Sequence, residues 1–145
     1  KITLRRCDFI GTEKFLNFSY IHSALEKNIG KIISIVKISN SSNSNEIGAK
    51  LAMHIAASNP LAIDKKNLSK EILDKELEII KAELMNSGKK PEMIEKISVG
   101  KLNKFVSDNT LLNQVWIMDP KMKVSDILKD CKVLDFIRYK VGEGV

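Results

Sequence analysis

At 145 residues the chain has the length of about one domain, enough to bury roughly two thirds of the surface its unfolded form exposes. Its 43% hydrophobic and 29% charged residues are those of an ordinary globular chain, and no apolar run approaches the ~18 residues of a membrane-spanning helix. The net charge of +6 invites a nucleic-acid reading, yet only Arg5, Arg6 and Arg138 of the 24 basic residues carry the guanidinium that suits bidentate recognition of phosphate or guanine.

The remaining basic residues are lysines, and they accompany 19 isoleucines and 11 asparagines, the joint enrichment expected of an AT-rich coding sequence. Nor are they clustered: from Asp64 to Lys104, ten lysines stand against eight acidic residues, ten minus eight giving +2. A basic ribosome- or RNA-associated domain is the alternative reading, and it requires clustered charge. The start at Lys1, without an initiator Met, and the blunt end at Gly144-Val145 are those expected of a piece of a longer chain.

In chain order, Ile2 to Phe9 reads as a first strand, with Gly11-Thr12 as the turn after it. Leu16, Phe18 and Tyr20 then alternate with Asn17 and Ser19, the period-2 pattern of a half-buried strand, and His22 falls on the aromatic face. Lys31 to Ile38 is so rich in β-branched residues that a well-covered strand follows, completing an antiparallel meander. The polar run Ser39 to Ser44 is a loop, after which Ile47, Leu51 and Ile55 recur every four residues in an alanine-rich helix closed by Pro60. His54, one residue off that stripe, reads as a partly buried helix histidine.

Leu73, Leu77, Ile80 and Leu84 then repeat with spacings of 4, 3 and 4, a heptad seam, with Ser69 as its cap. Ser87-Gly88 suits a left-handed exit and Pro91 the first turn of a second helix, on which Ile94, Ile97, Lys101 and Phe105 share one face. The two form an antiparallel helical hairpin, residues 64–106, with a Lys/Glu-rich outer face. Leu111 to Pro120 is apolar without helical period and reads as extended, Ser125 to Leu128 as a short capped helix, and Phe136 to Val141 as a last strand. The fold class is α+β: an antiparallel three- to four-stranded sheet covered by helices, with a protruding helical hairpin, in a single domain spanning 1–145.

Site chemistry is sparse. No phosphate-binding glycine loop, nucleophile elbow or zinc-protease motif occurs, and Cys7 and Cys131 lie far apart at no metal-ligand spacing. The expectation is therefore no catalytic residue, no metal and no cofactor: an interaction module rather than an enzyme.

Five segments taken together are more specific. Ile2-Thr3-Leu4-Arg5-Arg6, Ser19-Tyr20-Ile21-His22, Ala52 to Pro60 (Ala-Met-His-Ile-Ala-Ala-Ser-Asn-Pro), Val99 to Phe105 and Phe136 to Gly144 (Phe-Ile-Arg-Tyr-Lys-Val-Gly-Glu-Gly) resemble, in order and spacing, translation elongation factor Ts across essentially the whole chain. The resemblance implies a cytoplasmic guanine-nucleotide exchange factor for elongation factor Tu, of the family's dimerisation-domain type, that acts without covalent chemistry. It implies that Tyr20 and His22, and the apolar pair Ile117-Met118 before Asp119-Pro120, meet elongation factor Tu, while Trp116 stays in the core. It assigns the hairpin, with Leu73, Leu77, Ile80, Leu84, Ile94 and Ile97, to the family's coiled-coil and dimerisation region. A homodimer is a further partner on this reading; a membrane and direct nucleic-acid contact are not.

Departures accompany the match. The family's Thr-Asp-Phe-Val motif, which intrudes beside the partner's nucleotide site, has no counterpart, since Cys7-Asp8-Phe9-Ile10 follows directly on the Arg-Arg segment. Set against the family pattern, the N-terminal helical domain, the first half of the core and the C-terminal module are missing from this sequence, so weak or absent exchange activity is expected of this piece alone. The segment Ser23 to Ile29 is longer than in many members, which bears on how His22 is held.

Overall fold

The computed structural model describes residues 2–144, so the terminal Lys1 and Val145, at which the sequence suggests a truncation, lie outside them. The order of elements is β1 (Leu16–Glu26), β2 (Ile29–Ile38), α1 (Ser44–Ser58), α2 (Lys70–Asn86), α3 (Pro91–Asn109), α4 (Val124–Leu128) and β3 (Val133–Lys140). The architecture is α+β, and the chain divides into two compact units, residues 1–59 with 126–145, and residues 60–125.

The first unit holds a three-stranded antiparallel sheet in the order β1-β2-β3. Phe18 pairs with Val36, Tyr20 with Ser34 and His22 with Ile32, so the aromatic stripe of β1 and the buried stripe of β2 share a face. From β3, Phe136 and Arg138 join that face opposite Val36 and Ser34. Helix α1 lies against it: the buried Ser34 hydroxyl donates to the Ala52 carbonyl at 2.6 Å, deep among Val36, Ile38, Leu51 and Ile55. Gly48 permits this approach, because a Cβ there would overlap the Phe18 ring. Asn59, in the left-handed region, ends α1 by donating its N–H to the Ile55 carbonyl, and Pro60 follows. His54 is fully buried rather than partly so: seven residues from Ile47 and three from Leu51, it falls on the buried side of α1.

The expected strand from Ile2 to Phe9 does not form. Residues 2–12 have no regular secondary structure, Ile2, Leu4 and Phe9 stand in solvent, and the turn falls at Glu13-Lys14 rather than Gly11-Thr12. The physical reason is legible afterwards: the stripe begun by Ile2 and Leu4 runs on to Arg6 and Asp8, so neither face is apolar enough to hold a sheet edge. The segment is tethered instead by its arginines. Arg6 sits over the Tyr139 ring, 4.5 Å from its centroid, and Arg5 donates to the Gly144 carbonyl at 3.2 Å.

In the second unit α2 and α3 form the antiparallel hairpin. The Ser69 hydroxyl accepts from the Ile72 N–H at 3.3 Å, Pro91 occupies the first turn of α3, and Gly88 takes a positive φ of 71° between the helices. Buried Ile80, Leu84 and Ile94 make the seam, with Ile97 and Leu102 packed beside them; a smaller cluster of Ala62, Leu68 and Val106 gathers Leu73 and Phe105. The α3 face differs from the expected one at Lys101, which is exposed and reaches Glu83 at 3.4 Å, while Ser98 and Leu102 turn inward. The Ser98 hydroxyl satisfies itself on the Ile94 carbonyl at 2.6 Å, which lets a polar residue occupy a buried helix position. Lys81 and Glu95 close the other flank at 2.8 Å. No described helix is long and apolar enough to cross a membrane.

Candidate partner-binding site

The sequence nominates two pairs of contact residues, and each unit holds one. In the first unit, His22 sits on β1 just before the strand loses its regular pairing: Ser23 takes φ 52°, and the register shifts between Ala24 and Glu26. A non-glycine residue in the left-handed region costs about 1 kcal/mol, and here it bends the chain immediately after the histidine. Gly30, on the returning strand, leaves no room for a side chain, because a Cβ would meet the Ile21 side chain and stand 2.9 Å from the His22 carbonyl oxygen. His22 is exposed and Tyr20 half-buried, with the tyrosine hydroxyl 3.2 Å from Nδ1 of the imidazole.

Beside them opens a cavity of about 480 Å³, lined among others by Tyr20, His22, Met53, Ala57, Arg138 and Lys140. Sequence reasoning did not place Arg138, Met53 or Lys140 in this neighbourhood. The available signal was that Arg138 is one of only three arginines and falls on an inward position of a strand. Its side chain is 9% exposed; Nε donates to the Ala56 carbonyl at 3.0 Å and Nη1 to Glu143 at 3.2 Å. The guanidinium thus satisfies one of the last carbonyls of α1 and ties helix, strand and the Gly142-Glu143 turn together around the cavity.

In the second unit the stretch expected to be extended is a short 3-10 turn, Leu111–Asn113, followed by a closed loop. Val115 bridges Lys123, the Trp116 N–H donates to the Met122 carbonyl at 2.8 Å, and the Val124 N–H donates to Gln114 at 3.0 Å. The Asp119 N–H then returns to the Trp116 carbonyl at 3.2 Å, so Ile117 and Met118 are the two central residues of a β-turn. Trp116 is 5% exposed, whereas Ile117 is 39% and Met118 46% exposed, the division between core and surface that the family resemblance implied. Asn113 steadies the base of the loop by donating to Asp64 at 3.1 Å and Thr110 at 2.8 Å.

The heptad residues come together within the chain: Ile80, Leu84, Ile94 and Ile97 hold α2 to α3, Leu73 packs into the adjoining cluster, and Leu77 is half-buried. Among the described residues there is no group of three or more His, Cys, Asp or Glu placed to hold a metal ion. Cys7 is exposed and Cys131 buried, neither in a disulfide.

These features can be set beside known proteins. The family profile described as Elongation factor TS matches residues 1–143. Elongation factor Ts of Nitrobacter hamburgensis is 37% identical over 155 aligned positions, covering 99% of this chain and 50% of that protein. That of Bdellovibrio bacteriovorus is 38% identical, covering 100% and 51%, and that of Psychrobacter arcticus 45% identical over 112 positions, covering 76% and 38%. The chain spans about half the length of the first two relatives. The profile match over nearly every residue, and the 37–38% identity to relatives aligned over 99–100% of the chain, make the chain a member of the elongation factor Ts family.

Proposed function

We propose that this chain is the part of a guanine-nucleotide exchange factor that grips elongation factor Tu, with His22 and the Ile117-Met118 turn as contacts, and so promotes GDP release during translation elongation. The observation that carries the reading is the display of those residues. An exposed histidine beside a strained backbone position, and an apolar pair held outward over a buried tryptophan, are arrangements that packing of the chain alone does not require. Family membership supports elongation factor Tu as that partner.

The energetics of such a factor need no covalent step. It binds the nucleotide-free partner more tightly than the GDP-bound one, and by linkage GDP and the factor weaken each other's binding by the same ratio. Titrating the chain into nucleotide-free elongation factor Tu should give saturable binding that added GDP competes away. Binding indifferent to GDP, or none, contradicts the reading; binding to RNA that falls steeply with salt would favour the basic-domain alternative. Homodimerisation, the other interaction expected of this family region, is read by sedimentation equilibrium of the chain alone.

A further inference from the structure

We propose that Tyr20 serves the partner site indirectly, as a positioning residue: its hydroxyl donates to Nδ1 of His22, which leaves the imidazole proton on Nε2 and presents that N–H outward as a neutral hydrogen-bond donor. The inference deepens the proposed function and rests on it for the identity of the partner.

The geometry is local and complete. Tyr20 and His22 are two apart on β1, so their side chains stand on one face of the sheet, with the hydroxyl 3.2 Å from Nδ1. The rings are 6.1 Å apart and tilted by 38°, so the link between them is the hydrogen bond rather than stacking. Its direction follows from chemistry. A phenol oxygen shares its lone pairs with the ring and accepts weakly, while its O–H donates strongly; the unprotonated imidazole nitrogen is the better acceptor of the two. Which imidazole nitrogen carries the proton is fixed by the bond the other one makes.

Two other polar groups near the pair are already engaged, and the Lys140 ammonium, also on the cavity wall, makes no hydrogen bond to either ring among the described residues. The Ser34 hydroxyl, opposite Tyr20, is taken by the Ala52 carbonyl, and Arg138, on the cavity wall, donates to Ala56 and Glu143. The half-buried tyrosine is therefore the partner that selects the tautomer, and the exposed edge of the imidazole is a donor suited to an acceptor oxygen, a backbone carbonyl or carboxylate, on elongation factor Tu.

Long-range proton–nitrogen correlation spectra of the histidine-labelled chain, recorded at a pH where imidazole is neutral and assigned with His22→Ala, read the tautomer directly. Wild type should show the Nε2–H form, and Tyr20→Phe should lower the ratio of that form to the Nδ1–H form about fivefold, the factor to which about 1 kcal/mol of hydrogen bond corresponds. A wild type dominated by Nδ1–H, or a ratio unmoved in Tyr20→Phe, overturns the inference.

The binding arm separates the two ideas. Tyr20→Phe should weaken the complex with nucleotide-free elongation factor Tu severalfold when His22 is present and leave it unchanged in the His22→Ala background. Equal weakening in both backgrounds makes Tyr20 a contact in its own right and overturns the positioning role. If His22→Ala itself leaves binding unchanged, the proposed contact fails, and the role of Tyr20 at the partner fails with it, whatever the tautomer.

Discussion

His22 and the Ile117-Met118 pair are both exposed, but the chain displays them by different means. His22 stands on a strand whose register is set by the cross-strand pairs from Leu16↔Ile38 to His22↔Ile32, so its direction is inherited from the sheet. Ile117 and Met118 ride on a β-turn in a loop, held by four backbone bonds among Gln114, Trp116, Asp119, Met122 and Val124 and by one buried tryptophan. A contact built on a regular element is damaged by anything that shifts register; a contact built on a loop is damaged by loss of its anchor. The two should therefore fail to different substitutions.

The largest effect is expected at the loop. Trp116→Ala removes the anchor, and truncating a buried tryptophan should cost about 3–5 kcal/mol in denaturant unfolding, with the amide signals of Ile117 and Met118 shifting while those of β1 stay in place. Next comes the sheet. Gly30→Ala drives a methyl group into Ile21 and toward the His22 carbonyl, which should cost about 1–3 kcal/mol and shift the His22 amide while leaving the loop untouched. If either variant perturbs both regions equally, the separation drawn between them is wrong.

A smaller loss, about 1 kcal/mol, is expected on Ser69→Ala, which takes away the hydroxyl cap on α2 and should leave both contact regions as they are. Ser23→Gly should go the other way. It relieves the left-handed strain after His22, so the chain gains up to about 1 kcal/mol in unfolding, set against the extra entropy glycine brings to the unfolded state. A clear destabilisation by Ser23→Gly would show that the serine side chain, not the backbone turn, matters there.

The same contrast explains what the sequence revealed. Helices α1, α2 and α3 were legible because their signals are local: the stripe of Ile47, Leu51 and Ile55, the Ser69 cap, Gly88 and Pro91 each act within a few residues. Lys101 lies off the expected face because spacing alone does not tell position 101 from 98 or 102 until the opposing helix is present, and pairing with Glu83 keeps its ammonium at the flank. The expected first strand does not form because the alternation that Ile2 and Leu4 begin ends at Arg6 and Asp8. The loop from Gln114 to Val124 was opaque for another reason. Its shape depends on backbone bonds between residues up to ten apart, Val124 to Gln114 and Trp116 to Met122, which leave no periodic trace in side-chain type.

Among the proposed contact residues, alternation with Phe18 and Tyr20 places His22 on the aromatic face but does not foretell its exposure, since β1 runs on to Glu26 and the histidine stands exposed within it, ahead of the register shift. The division between Trp116 and Ile117-Met118 came only through the resemblance, since all three are apolar and periodicity does not separate them. Arg138 and Met53 beside His22 were not foreseen, because the cavity they line is made by β1, β3 and α1 meeting from distant parts of the chain.

The central claim, that two differently built displays serve one partner, is tested most directly by calorimetric titration of nucleotide-free elongation factor Tu with wild type, His22→Ala and Met118→Ala. Both side chains are exposed, so each substitution should leave unfolding stability within about 0.5 kcal/mol of wild type. Each should nonetheless weaken binding by roughly tenfold or more, as truncation of an interface anchor does. Wild-type affinity in both variants, with folding intact, would contradict the account.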